Sequence, residues 1–354
     1  AATGGLEPGV TARPERVVEN LNHALHERLR ADPRLYVLGE DIADPYGGAF
    51  KVTRGLSDAD PGRVIATPIS ENGIAGVASG LALAGDAAIV EIMFGDFAGL
   101  AFDQVLNFAS KSVSMYGRPH PMRLVVRLPS GGGRGYGPTH SQSLLKHFIG
   151  IPGLSLFELS PFHDNRAVLA RMLDLGEPCV FVEDKVLYTR RQATGGRLDD
   201  LFDYGFLGAE DVGPAHVYVD DGGDVDCLLV APGGVADRAV AAMRELLLHH
   251  EISCRLVVPS RLYPVEAEAL VSAARRASYV CVVEESTAGG TWGAEVAHVL
   301  HERLWGRLRR PVRLVHSADS VIPAAVHLER EVLVQAGTIR DAVLADLRAE
   351  RSPV

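Results

Sequence analysis

Three short runs of this sequence gather the residue types that proton-transfer chemistry needs. The first is Thr67-Pro-Ile-Ser-Glu-Asn-Gly-Ile-Ala-Gly, in which Glu71 sits where an apolar strand gives way to a helix of small residues. A carboxylate at the carboxyl edge of a parallel sheet stands where such folds place ligands, although an acidic residue there also serves to cap a helix. The second is Phe94-Gly-Asp-Phe97, again just past a strand, with Asp103-Gln104 on the following helix. Its plainer reading makes Phe97 part of the core and Asp96 an N-cap. The third is the glycine-rich Ser130-Gly-Gly-Gly-Arg-Gly-Tyr-Gly-Pro-Thr-His140-Ser-Gln142. Backbone N–H groups of such loops cradle phosphates, and the same composition makes flexible lids. A lone histidine is usually structural, but Arg134, Tyr136 and Ser141 lie close to His140 and suit it to acid–base work. The run Gly73, Ala75, Gly76, Ala78, Gly80 predicts that another chain or a flat ligand packs closely on this helix.

The elements that must position these groups alternate. Arg16–Ala31 has helical spacing and Leu35–Leu38 reads as a strand. A mobile-looking loop, Asp44-Pro-Tyr-Gly-Gly-Ala, follows. Strands are then expected at Val64–Ala66, Ala87–Ile92, Arg123–Arg127, Ser155–Leu159 and Cys179–Val182, with helices at Gly73–Ala84, Phe97–Met115 and Asn165–Leu175. Continuous apolar strands alternating with helices predict an α/β fold with a parallel sheet covered on both faces. Thr194–Asp226, rich in Gly and Asp, breaks the pattern, which restarts with strands at 226–231, 253–258, 279–284 and 312–316 and helices at 235–249, 265–274 and 293–305. The expected organisation is an arm over 1–15, a first domain over 16–193, a linker over 194–214 and a smaller α/β domain over 215–350.

Composition excludes several classes. The chain has 354 residues, 45 acidic against 35 basic, and a net charge of -10, which argues against nucleic acid or an anionic membrane as partner. No apolar stretch approaches the roughly 18–20 residues of a membrane span. Ala1–Pro14 lacks a basic start and an apolar block, so it reads as a disordered arm rather than a secretory leader. Cys179, Cys227, Cys254 and Cys281 stand at least 27 residues apart with no CxxC spacing, as buried free thiols of a cytoplasmic protein would. No phosphate-binding P-loop, dinucleotide fingerprint, GxSxG elbow or HExxH pair occurs, and no metal site is expected on this chain.

Taken in order, Gly39-Glu-Asp, Tyr46-Gly-Gly-Ala-Phe, Thr67-Pro-Ile-Ser-Glu-Asn-Gly-Ile-Ala-Gly, Glu91-Ile-Met-Phe-Gly-Asp-Phe, Ala101-Phe-Asp-Gln, Gly137-Pro-Thr-His-Ser-Gln, Ile151-Pro-Gly-Leu, Glu177-Pro and Val282-Val-Glu-Glu carry a resemblance. From Arg16 to Leu347 the chain resembles the beta subunit of thiamine-diphosphate-dependent 2-oxo acid dehydrogenases of the pyruvate and branched-chain types, within the transketolase-like superfamily. The resemblance implies a pyrimidine-binding α/β domain followed by a smaller domain like the transketolase C-terminal one. It implies that Glu71 hydrogen-bonds the aminopyrimidine ring nitrogen, so that the cofactor's own amino group can take the thiazolium proton. Phe97 would pack on that ring, with Ile69 beside it and Gln104 as a further contact, and His140 would face the substrate.

The family's diphosphate and Mg²⁺ motif is missing, since Gly95-Asp96-Phe97 lacks its second glycine and Asn107 follows too soon. The resemblance therefore implies an alpha subunit that holds the diphosphate and Mg²⁺, in a heterotetramer of two alpha and two beta chains with the second domain at the beta–beta contact. It also raises a structural K⁺ near Met172–Glu177. The implied reaction decarboxylates a 2-oxo acid and hands the acyl group to a lipoyl-bearing acyltransferase. Two departures from the family pattern, Arg134-Gly-Tyr-Gly-Pro-Thr and Leu144–Gly150, leave room for a relative that moves a two-carbon ketol or acyl unit from a ketose phosphate or 2-oxo acid to a carrier protein. In that stretch Phe148 is expected in the core. Lys146 and His147 are read as solvated, with an anionic substrate as the alternative. A non-catalytic scaffold would have no need of Glu71, Phe97 and His140 together.

Overall fold

The computed structural model describes residues 14–208 and 211–348, so residues 1–13 of the expected arm lie outside it. It contains two α/β units. The first sheet runs from edge to edge as Arg261–Tyr263, Ser155–Glu158, Cys179–Asp184, Leu124–Ser130, Ala87–Glu91, Leu35–Gly39 and Val64–Ala66. All its pairings are parallel except that of the first strand. Every residue of Ala87–Glu91, Leu124–Ser130 and Cys179–Asp184 is buried, as strands covered on both faces require. The second sheet is ordered Arg313–Ser317, Ala277–Thr287, Val225–Val230, Cys254–Val258, Ala215–Tyr218 and Asp203–Phe206, the last two pairings being antiparallel.

Several expectations needed correction. Arg261–Tyr263, from the second half of the chain, completes the edge of the first sheet; three residues are too few to show a period. Within the stretch read as a linker, Asp203–Phe206 forms a strand, held by the burial of Phe202 and Tyr204. The loop after Asp44 is tied down rather than mobile. Its Asp44 carboxylate accepts the Gly55 N–H at 2.9 Å and the Ser57 hydroxyl at 2.8 Å, and Ala49 N–H donates to Glu91 Oε1 at 2.6 Å. The helix expected over Phe97–Met115 is a composite: a 3-10 turn at Gly95–Phe97, α-helix at Ala98–Asp103, a π-turn at Gln104–Ala109 and α-helix at Ser110–Ser112. It packs on the small-residue helix Glu71–Leu83, where a Cβ on Gly76 would come within 3.3 Å of Gln104 Oε1. Intrachain packing thus accounts for one of that helix's glycines. All four cysteines are free and buried, and burial pushes the Cys281 thiol up to about 12. No described helix is long and apolar enough to cross a membrane.

The units meet at the carboxyl ends of their sheets, across a seam rich in carboxylates. Glu158 accepts the Gly234 N–H at 2.8 Å, and burial holds its carboxyl well above the usual range. Burial also pushes Asp184 up to about 7, the Glu285 charge adding to the effect while Arg238, the Val186 N–H and Lys185 oppose it. A carboxyl raised by folding contributes stability that is complete below its unfolded pKa and is lost as the pH rises through the folded one. For Asp184 that window runs from 3.8 to about 7. Across it the wild type is expected to lose up to roughly 3–4 kcal/mol relative to Asp184→Asn. Urea unfolding of both proteins at several pH values checks this, and parallel curves would reject it.

Candidate active site

Strand register brings the three chemical runs to one edge. Gly39 pairs with both Ala66 and Glu91, Glu91 with Arg127, and Ser130 with Asp184. The residues that follow each strand, Glu40, Thr67–Glu71, Phe94–Phe97, the glycine-rich loop and Lys185, therefore leave the first sheet at its carboxyl side. Gly39 has no room for a side chain, since a Cβ would lie 2.8 Å from the Glu91 carbonyl oxygen.

Glu71 opens its helix but does not cap it: the N-cap is Ser70 and no side-chain cap bond forms. The carboxyl is buried, and among the described residues no hydrogen-bond donor engages it. Glu40 is buried next to it, with one oxygen lacking any partner. Burial raises the Glu40 pKa, the Glu71 charge raises it further, and the Ser70 N–H pulls the other way. Glu40 therefore holds a proton more readily than a solvated carboxyl would. Glu40 was not singled out from the sequence as a site residue; its position one residue past the end of a strand, in Gly39-Glu-Asp, was the available signal.

His140 belongs to an aromatic cluster. Its ring stands edge-on to Phe94 at 4.6 Å and to Phe97 at 5.3 Å, and its Nδ1 lies 2.9 Å from the Thr139 hydroxyl. Phe97 is half-buried and packs against the core. Asp96 is no helix cap, because one of its oxygens accepts both the Gln142 N–H and the Gln142 side-chain amide, pinning the chain just after His140. Beneath Phe94, 5.7 Å from the ring centroid, lies the ammonium of fully buried Lys185, which has no hydrogen-bond partner. Burial lowers its pKa against the opposing charges of Asp184, Asp96 and Glu285. Lys185 was missed in the sequence because an isolated cation after a strand gives no pattern.

The glycine-rich loop holds no open phosphate cradle. Gly132 N–H donates to Glu285 at 2.8 Å, and Gly133 and Gly135 N–H donate to the two oxygens of buried Glu329 at 2.9 and 3.0 Å. The positive φ values of Gly133 (85°) and Gly135 (71°) aim those N–H groups at the carboxylate. Arg134 is committed as well, donating to the Lys185 carbonyl at 2.7 Å and stacking 4.8 Å over Phe50. The second domain thus clamps the loop that carries His140. Hydrogen bonds to a charged group contribute about 1.5–3 kcal/mol each, so Glu329→Ala is expected to speed amide exchange over 131–140 by at least about tenfold. Exchange in Ala87–Glu91 should stay unchanged, and an unaltered loop would reject the clamp.

Other expected residues lie elsewhere. Lys146 is neither solvated nor open to an anion: its ammonium donates to the carbonyls of Thr287 at 3.0 Å and Gly289 at 3.2 Å, joining the two domains. Phe148 is buried as expected. Gln104 reaches Asn72 and Asp103, both at 3.4 Å, rather than the aromatic cluster. Ile69 is 83% exposed, and Val77 and Leu100 are exposed as well. Around Met172–Glu177 the Cys179 thiol lies 3.5 and 3.6 Å from the carbonyls of Met172 and Glu177, and Gly176 accepts the Met122 N–H at 2.9 Å. Among the described residues no three His, Cys, Asp or Glu side chains gather as metal ligands.

The arrangement suits a flat, nitrogen-bearing ring. An unpartnered carboxyl can exchange a proton with a ring nitrogen, a half-buried aromatic side chain can pack on the ring, and an imidazole stands next to that side chain. Comparison with known proteins points the same way. Residues 16–191 match the transketolase pyrimidine-binding domain and residues 216–339 the transketolase C-terminal domain. The chain is 31% identical, over 92% of its length and 89% of the relative's, to the mitochondrial pyruvate dehydrogenase E1 component subunit beta of Dictyostelium discoideum. It is 27% identical, over 92% and 96%, to the E1 beta subunit of Rickettsia felis. A split-gene transketolase, solved as an inactive beta4 tetramer, shares the fold with a TM-score of 0.70 at 22% identity, over 95% of this chain and 99% of that one.

Proposed function

The chain belongs to the family of pyruvate dehydrogenase E1 beta-like subunits of thiamine-diphosphate enzymes, and on that premise we propose that it is the beta half of a 2-oxo acid dehydrogenase. The observation that carries the reading is the buried, unpartnered Glu71 carboxyl beside Glu40. When bound, the cofactor would supply a nucleophilic carbon and an electron sink for decarboxylation of a 2-oxo acid. Glu71 holds the proton at the pyrimidine ring nitrogen, and Phe97 fixes the plane of that ring. His140, steadied by Phe94 and by the Glu329 clamp, moves a proton at the substrate oxygen or during transfer to a lipoyl-bearing acyltransferase. Gln104 holds the glycine face of the helix that begins with Glu71.

An alpha subunit would bind the diphosphate and Mg²⁺, for which this sequence has no motif, in a tetramer of two alpha and two beta chains. The exposed Ile69, Val77 and Leu100 suit a face covered by that partner. The free thiols suit the cytoplasm as the compartment. The alternative, transfer of a two-carbon ketol or acyl unit from a ketose phosphate or 2-oxo acid to a carrier protein, is disfavoured for the ketose phosphate, because Arg134 Nη2, Lys146 and the N–H groups of Gly132, Gly133 and Gly135 are engaged within the chain.

The test is reconstitution with an alpha partner from a neighbouring reading frame, thiamine diphosphate and Mg²⁺, followed by release of labelled CO₂ from a panel of 1-labelled 2-oxo acids. Release from one acid supports the reading and names the substrate. An assembled, cofactor-loaded complex that releases none overturns it, and sugar phosphates become the next panel.

A further inference from the structure

A second concavity lies far from Glu71, at the amino edge of the second sheet, where Val225 and Ala277 pair at the starts of their strands. The domain seam occupies the opposite, carboxyl edge. The cavity measures about 310 Å³, and its lining includes Arg275, Arg276, Arg307 and Arg309. Arg276 serves the fold: it donates to the Gly223 carbonyl at 2.9 Å and lies 3.6 Å from Asp224, the single acidic residue of the lining. The side chains of Arg275, Arg307 and Arg309 enter no ion pair or hydrogen bond among the described residues. In a chain of net charge -10 carboxylates are plentiful, yet among the described residues none pairs with these three. Like charges gathered without a counter-ion repel, and that repulsion is relieved when an anion binds. The lining also includes buried Leu304, half-buried Leu308, Ala274 and Val225, while Arg275, Arg307 and Arg309 are exposed to solvent.

We propose that this cavity is an anion site for a small molecule that carries a diphosphate or an equivalent pair of phosphates on an apolar body. Guanidinium forks match phosphate oxygens two at a time, so three unpaired arginines call for more than one phosphate group. The volume falls at the lower end of small-molecule pockets, too small for a folded partner to enter but enough for the phosphates and part of an attached group. The site stands apart from the proposed reaction, and binding there needs neither the alpha partner nor Glu71.

The experiment titrates inorganic pyrophosphate into the full-length chain by calorimetry at about 0.15 M salt, with sulfate as comparison. One pyrophosphate is expected per chain, bound at least tenfold more tightly than sulfate. The affinity should fall at least tenfold in Arg307→Ala/Arg309→Ala and stay unchanged in Lys111→Ala, with circular dichroism showing that each variant is folded. Absence of pyrophosphate binding overturns the proposal. So does equal affinity for sulfate, which would leave only a diffuse counter-ion effect, or equal binding by the arginine variant. A site that takes an acidic peptide in preference to pyrophosphate overturns the ligand class.

Discussion

In the complex reconstituted with its alpha partner, Glu71→Gln lowers CO₂ release by about 10²–10⁴-fold, the range of a lost acid–base group, and leaves assembly intact. Gln keeps the shape and one acceptor oxygen but can neither carry nor return a proton. Its structural cost is small for a reason visible in the fold. Glu71 makes no cap bond, no donor among the described residues engages it, and its charge raises the pKa of Glu40. Removing that charge relieves a repulsion instead of breaking a contact, so the variant should unfold no earlier than the wild type. Glu40→Gln is expected to be milder, because it removes the neighbour that biases the proton and not the group that holds it. Steady-state CO₂ release, with sedimentation to confirm the tetramer, separates the outcomes. A Glu71→Gln complex that turns over normally would remove the carboxyl from the chemistry, and one that fails to assemble would make it structural.

How far the sequence reaches depends on the separation between interacting groups. The alternation of apolar strands and helices, and Glu71 at a strand-to-helix boundary, depend on neighbours within a dozen residues, so period and composition reveal them. The clamp on the His140 loop joins Gly133 to Glu329, 196 residues away, and neither position has a local signature. The glycine run therefore read as either a phosphate cradle or a flexible lid, when it is held by a carboxylate of its own chain. Lys146 misled for the same reason: its partners are carbonyls near Thr287, and a lysine bound to carbonyls cannot be told from a solvated one by sequence. Arg261–Tyr263 failed differently, being too short for periodicity while joining a sheet built by the first half of the chain. Glu40 was within reach, since the strand-edge argument applied to Glu71 covers it equally.

The largest effect on stability is expected at Arg127, on the strand that leads into the glycine-rich loop. Its guanidinium is fully buried and forked onto Glu183, with Nε to Oε1 at 2.7 Å and Nη2 to Oε2 at 2.8 Å, while Nη1 reaches Glu91 at 2.6 Å. Tyr188 donates to Glu183 at 2.5 Å, and Glu91 also accepts Ala49 N–H, so one cation anchors both the Gly47–Lys51 loop and the strand before Lys185. Burial already raises the Glu91 pKa despite the arginine. Arg127→Met leaves two buried carboxylates without a cation, and breaking a buried pair on one side costs about 3–5 kcal/mol. The carboxyls escape part of that cost by taking up protons. The folded variant then binds protons that its unfolded chain releases, and the destabilisation grows as the pH rises. Arg127→Lys should fall between, because an ammonium keeps the charge but cannot bridge both carboxylates in a fork. Urea unfolding at about pH 6 and pH 8 measures all three proteins. A Met variant within about 1 kcal/mol of the wild type at both pH values would mean that water or a shifted side chain satisfies the carboxylates, and that the network orients the loop without holding the sheet together.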